Sequence, residues 1–325
     1  MKLFKRAALV LLSLIAILPR DAAAQDYPTR TTTILVPFAP GGGTDLIARA
    51  IGAKLEQRHG KSFVVENRPG AGTTIAAGAT AKAAPDGYTL MQATSTTMAI
   101  AVTMHKKLPY EPLKDLVPVA LYSSSPFFLV VRADSPIKSV QDLIEAAKAK
   151  PNGFNCGSGG PGSMHHLSTE LFQSLTGTKM THVPYKATPP AMNDLIAGHI
   201  QVLFGDSTST LPIINQGKVR ALGVTTLKRS PAAPDVPAIA ETVPGFESAS
   251  WQMLVAPGAV PPEVVALLNR EVHTIFSDPA VIKELHRRGV GPVVTGPPEE
   301  VTAFVKKEIV RWGEVVARAG LAGTQ

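Results

Sequence analysis

Three times in the first hundred residues, a short apolar run gives way to a loop of small polar residues and then to an apolar stripe at helical spacing. The runs are Thr32–Val36 (TTILV), Ser62–Glu66 (SFVVE) and Tyr88–Met91 (YTLM). Their β-branched residues and short length predict strands. The loops are PFAPGGGTD, NRPGAGTT and QATSTT. Leu46–Arg58 places Leu46, Ile47, Ala50, Ile51 and Leu55 on one face, and Ile75–Ala83 is rich in alanine, so both predict helices. Such alternation implies a mainly parallel sheet. In open α/β sheets ligands bind beyond the carboxyl ends of the strands, where these loops lie.

A second unit begins near Pro126. Phe127–Arg132 predicts a strong strand, and Val140–Ala149 a helix with Ser139 as N-cap. A strand near Phe154, a helix over Met164–Leu175 and a strand over Met180–Pro184 form a further βαβ unit. Pro190–Ala197 predicts a short helix stopped at Gly198. Gln201–Phe204 and Arg220–Thr225 predict strands, with a helix over Leu211–Gln216 between them. The proline-rich stretch Ser230–Pro244 reads as a linker, with a return between domains. Trp251–Ala256 is again a strand. Helices are predicted over Pro261–Phe276, from the cap Asp278 to Gly289, and over Glu299–Ala317. In the last, Val301, Phe304, Val305, Ile309, Trp312 and Val316 stand at core spacing.

The N-terminus changes the picture. Lys2, Lys5 and Arg6 precede a twelve-residue apolar run, Ala7–Leu18, and Ala22-Ala23-Ala24 offers a small-residue cleavage site. This predicts a secretory signal peptide over residues 1–24, cleaved near Ala24/Gln25, and a periplasmic mature chain. The run is short for a membrane span. Cys156 is the single cysteine, so no intramolecular disulfide can form and the core must hold the fold. The net charge is +7, and its positive residues are scattered rather than clustered among aromatics. That pattern does not suit a nucleic-acid surface.

The stretch FNCGSGGPGSMHHL (Phe154–Leu167) carries the most chemistry in the chain. It contains G-x-G-x-x-G at Gly157, Gly159 and Gly162. A dinucleotide site needs an acid about twenty residues on, and none occurs from Leu171 to Asn193. Ser163 lies beside His165 and His166 but lacks the G-x-S-x-G elbow of a hydrolase. Neither these histidines with Glu170 nor any other set has standard metal-ligand spacing. No cofactor motif is present, since Gly41-Gly42-Gly43-Thr44-Asp45 has no G-K-[ST]. What remains is a glycine turn opening a helix, whose free N–H groups and dipole favour an anion. The alternative is an ordinary tight turn capped by Ser163. Three further small-residue loops, Pro40–Gly43, Pro69–Thr73 and Thr94-Ser95-Thr96-Thr97, share this character. Asp45 reads as a first-turn acid that steadies its helix. Together the loops would bind a carboxylate, with no nucleophile or paired carboxylate left for catalysis.

The stretches VPFAPGGGTDLIARAIGAKL, VVENRPGAGTTIAA, KAAPDGYTL, LPYEPLKDLVPVAL, HVPYK, INQGKVRALGV and KRSPAAPDVPAIAE follow one another along nearly the whole mature chain. In this order they resemble the tripartite tricarboxylate transporter substrate-binding (Bug/TctC) family. The resemblance implies a two-lobed α/β periplasmic binding protein (type II, Venus-flytrap) with the ligand cleft between the lobes. Lobe 1 would comprise 25–125 plus 246–325, and lobe 2 would comprise 126–245. It further implies a monomer that binds a small carboxylate and hands it to a membrane permease, or to a sensor kinase. Carbonyls of Phe38, Ala39, Pro40, Gly41 and Gly42 would hold bridging water. Ser158, Gly160, Gly162, Ser163 and His166 match the anion site, and Tyr185 lies in the VPYK strand end. Thr94, Ser95 and Thr97 complete the expected lining. This chain departs from the family at Ala187, where many members have Gly, and at Phe204-Gly205-Asp206, where members often read Phe-Asp-Asn. Asp206 therefore stays open between pairing with a ligand ammonium and capping the helix before Leu211.

Overall fold

The computed structural model describes residues 27–293 and 296–325. The leader and its cleavage point lie outside them. In chain order the first half holds β1 (Thr32–Val36), α1 (Gly43–His59), β2 (Phe63–Asn67), α2 (Thr74–Ala81), β3 (Thr89–Thr94), α3 (Ala101–Met104), β4 (Leu116–Arg132) and α4 (Val140–Ala149). Next come β5 (Asn155–Ser158), α5 (Met164–Thr176), β6 (Thr181–Pro184), α6 (Thr188–Ala197), β7 (Val202–Asp206), α7 (Ser207–Asn215) and β8 (Val219–Val224). The chain closes with β9 (Ala249–Pro257), α8 (Pro262–Ser277), α9 (Pro279–Arg287), β10 (Gly291–Pro292) and α10 (Pro298–Arg318).

The strands follow the order β2-β1-β3-β9-β4-β7-β5-β6, with β8 and β10 also paired to β4. β1 runs parallel to β2 and to β3, as the repeated βα pattern requires. β9 enters antiparallel between β3 and β4, so the C-terminal segment joins the sheet of the N-terminal strands. β4 belongs to both lobes. Its residues Leu116–Pro126 pair with β9, and from Phe127 onward it pairs with β7 and β8. At the change of partner the Phe127 N–H donates to Thr225 Oγ1 at 2.8 Å, which keeps the backbone satisfied where the ladder shifts. Beyond that point β4 is buried on both faces. Phe127, Leu129 and Val131 enter one core cluster, and Phe128 and Val130 enter another.

The sequence pattern identified only Phe127–Arg132 of this strand. Pro118 and the run Ser123–Ser125 interrupt the apolar signal of the first half, and the partner strand β9 lies more than a hundred residues away. The proline-rich stretch is not a free tether. Val224 N–H donates to Pro237 O at 2.9 Å, Ile239 is fully buried, and Arg229 makes two hydrogen bonds to the Glu241 carboxylate, both of 2.8 Å. α10 buries Val301, Val305, Trp312 and Val316. Each such side chain contributes about 1.5–3 kcal/mol over leaving it exposed. The indole N–H groups of Trp251 and Trp312 both donate to Glu308 Oε2, at 2.7 and 2.9 Å, which ties α10 to β9.

Candidate functional site

The loops at the carboxyl ends of the strands enclose two adjoining chambers between the lobes. The inner one, of about 30 Å³, is lined by Gly42, Gly43 and Thr44 at the start of α1, and by Met164 and His165 at the start of α5. Ala187 and Thr188 at the start of α6, Asp206 and Thr208, and Ser125, Ser250 and Gln252 on β4 and β9 close it. The outer one, of about 260 Å³, lies between Gly70–Thr73 on one side and Gly159–Pro161, Ser163 and Pro184–Lys186 on the other. Phe38 and Thr96 line both. The lobes touch around them. Ala39 N–H donates to Lys186 O at 3.2 Å. A Cβ at Gly43 would fall 2.5 Å from Asp206 Oδ1, and one at Gly72 would fall 3.0 Å from Pro161 O.

The helix starts differ in how they are satisfied. α5 is capped, since the Ser163 hydroxyl donates to Gly160 O at 2.7 Å and accepts from His166 N–H at 3.4 Å. α7 is capped by Asp206, whose Oδ1 accepts from Ser209 N–H at 3.0 Å and whose Oδ2 accepts from Ser209 Oγ at 2.8 Å. α1 and α6 have no side-chain cap. In α6, Pro189 and Pro190 remove two of the donors that would need one. α1 therefore presents its first turn to the inner chamber with its amides unclaimed by any side chain. Asp45, in that turn, lines neither chamber and is engaged by its neighbours: it accepts from Gly41 N–H and Asn67 Nδ2 at 2.9 Å each and from Arg49 Nε at 3.1 Å. Burial alone would raise its pKa, but the bonds from Arg49, Gly41 and Asn67 outweigh that and hold it below the usual carboxylate value.

Of the residues singled out from the sequence, Phe38, Gly42, Gly160, Ser163, Tyr185 and Asp206 line a chamber. Ala39, Pro40, Gly41, Thr94, Ser95, Thr97, Ser158, Gly162 and His166 do not. Gly41 N–H is taken by Asp45, and Phe38 O accepts from Asn67 Nδ2. Ser158 Oγ accepts from Gly160 N–H at 3.0 Å and sits 2.5 Å from His182 Nε2. His166 Nδ1 accepts from Gly162 N–H at 3.2 Å, and its ring stacks on His182 at 3.9 Å, so it braces the glycine turn from behind. Burial, reinforced by His166, pushes His182 down to about 4. Of the two neighbouring histidines it is His165 that reaches the chamber, with Nε2 2.9 Å from Thr188 Oγ1. Burial pushes its pKa down to about 4, with Asp206 opposing, so it is neutral at pH 7. The Tyr185 hydroxyl donates to Asp194 Oδ2 at 2.6 Å and is thus spent on α6. Cys156 is fully buried in β5 beside Thr169, and burial pushes its thiol up to about 12.

Thr94–Thr97 is not a loop. β3 runs through Thr94, and a π-helical turn, Thr96–Ile100, follows at once into α3. Thr97 Oγ1 then accepts from Thr94 N–H at 3.4 Å, and Thr96 is the residue left to face the cleft. Sequence reasoning also missed Ser125, Thr188, Ser250 and Gln252. Each is a single polar residue inside or beside an apolar element, and nothing in its local sequence marks it. Asp206 caps α7, one of the two roles its position left open, and it also lines the inner chamber.

Among the described residues no group of three or more His, Cys, Asp or Glu could hold a metal, and no helix is long and apolar enough to cross a membrane. Residues 47–321 match the tripartite tricarboxylate transporter family receptor. BugT of Bordetella pertussis is 36% identical over 300 residues, which span 92% of either chain. Rpa4515 of R. palustris, solved with adipate, superposes with a TM-score of 0.88 at 38% identity, over 91% of this chain and 99% of that one. MatC (Rpa3494) of Rhodopseudomonas palustris, solved with bound malate, gives 0.84 at 35% identity, over 89% of this chain and 100% of the other. With its two α/β lobes joined through β4 and β9, the chain belongs to the tripartite tricarboxylate transporter receptor family, among the Bug/TctC solute-binding proteins.

Proposed function

We propose that this protein captures a small organic carboxylate in the cleft between its lobes, in the periplasm, and presents it to the permease of a tripartite tricarboxylate-type transporter. The observation that carries this reading is the pair of adjoining chambers, enclosed from both lobes by hydroxyls, glycine backbone and the uncapped start of α1. Hydroxyls and backbone N–H groups placed around a concave site fix the orientation of a small ligand. The carboxylates held by Rpa4515 and MatC support the ligand class. The working lobes are 25–125 with 246–325, and 126–245, and they close as hinged bodies on the strands β4 and β9. The residues assigned to ligand contact are Phe38, Gly42, Gly160, Ser163, Tyr185 and Asp206, joined by Thr96, Ser125, Thr188 and Gln252. A hydrolase gains no support from the geometry, because the Ser163 hydroxyl donates to a carbonyl rather than to a base.

Thermal unfolding tests the reading. The mature protein is unfolded and refolded to strip carried-over ligand, then scanned with mono-, di- and tricarboxylates, aromatic acids and amino acids. A ligand at a hundred times its Kd stabilises by about 2.7 kcal/mol, which raises Tm by a few degrees. A panel in which no acid shifts Tm would sink carboxylate capture.

A further inference from the structure

The two chambers are of opposite charge. Asp206 is the one charged side chain lining the inner chamber, and Lys186 is the one charged side chain lining the outer. Asp206 is 9% exposed and, among the described residues, makes no ion pair. Its oxygens accept only from Ser209, and the neighbouring imidazole of His165 is neutral at pH 7. The starts of α7 and α1 offset part of its charge, but no cation offsets the rest. Ser125 Oγ, on a residue 3% exposed, lines the same chamber without a partner. The chamber's 30 Å³ would admit a group about the size of two waters. A carboxylate placed there would be buried against Asp206, two like charges with only the uncapped start of α1 beside them and no cation, a costly arrangement. An ammonium or N–H donor there would complete the pair, while the acid of the ligand lies in the roomier outer chamber beside Lys186.

We propose that Asp206 sets the ligand class: the cleft takes a carboxylate that also carries an ammonium or N–H donor, an amino-acid-like ligand, in preference to the plain diacid of the same skeleton. This rests on the carboxylate-capture reading and narrows it. The test is calorimetric titration with matched pairs that differ only by the amino group: aspartate with succinate, glutamate with glutarate, and 2-aminoadipate with adipate. It is run on the wild type and on Asp206→Asn, since asparagine also caps helices. The wild type is expected to favour the amino member of the pair that fits by at least about tenfold, as a charge-assisted hydrogen bond does. Asp206→Asn should abolish that preference. Equal affinities or a preference for the diacid in the wild type would overturn the assignment of Asp206 and leave carboxylate capture standing. So would a preference that survives in the variant. Binding of no member by the wild type would overturn the assignment of Asp206, and carboxylate capture falls with it when no acid of the wider panel shifts Tm.

Discussion

The inner and outer chambers of the cleft are built from different materials. The outer wall is made of the glycine loops that stand out in the sequence, Gly70–Thr73 and Gly159–Ser163, and its polar groups are largely spent on holding those loops in shape. Ser158 serves Gly160, Ser163 serves Gly160 and His166, and His166 serves Gly162. The inner wall is made of single polar residues on strand ends and helix starts; Thr188 meets His165, Gln252 accepts from Gln92 and Asp206 caps α7, while the Ser125 hydroxyl has no protein partner among the described residues. A conspicuous motif thus marks a backbone that needs bracing, and the atoms free to meet a ligand come from inconspicuous places.

The contrast can be broken most sharply at Gly43, where the lobes meet over the inner chamber. Alanine suits the first turn of a helix, so Gly43→Ala is tolerated within α1 itself. Its methyl would press on Asp206 Oδ1 when the lobes close. Overpacking of this kind costs about 1–3 kcal/mol, so ligand affinity should fall about 5- to 150-fold by calorimetry. Unaltered affinity would mean that closure does not bring these groups together.

Next in size is the outer wall. Ser163→Ala removes a helix cap and should cost about 1 kcal/mol of stability, read by denaturant unfolding. Affinity should fall less than in Gly43→Ala, because the hydroxyl is committed to the turn.

Acid stability follows from His165 and His182, whose folded values near 4 lie below the ordinary histidine value near 6.5. The unfolded chain takes up these protons first as pH falls, so the fold loses stability from about pH 6.5 down towards 4. The His165→Gln, His182→Gln double variant should show a flatter Tm profile across that window, and an identical slope would remove the histidines from the account. Smallest is Ser125→Ala. Its hydroxyl has no protein partner among the described residues, so stability should change by less than about 0.5 kcal/mol, while affinity drops a few-fold; unchanged affinity would remove Ser125 from the ligand contacts.

Much of the fold was legible. The βα repeats, the caps Ser139, Ser163 and Asp278, and the stop at Gly198 follow from periodicity and cap chemistry, and the described structure contains each. The first half of β4 was not, because a strand carrying Pro118 and three serines is held by pairing with distant β9 rather than by its own propensity. The helix α7 begins four residues before its apolar stripe, at Ser207, since Asp206 caps it and the threonines and serines of its first turn carry no periodic signal. In the cleft, the loops that line the chambers could be read. Which atom of each loop is free could not, because that depends on partners such as Asn67, His182 and Thr188 that only the tertiary structure brings near.

The central claim is that a carboxylate is captured by closure of the two lobes around these chambers. Small-angle X-ray scattering tests it directly, on ligand-stripped protein with and without a saturating amount of the acid that raises Tm most. The radius of gyration should fall on saturation, and it should fall less in Gly43→Ala under the same occupancy. Saturable binding with an unchanged radius in the wild type would place the ligand outside the interlobe cleft and contradict the account.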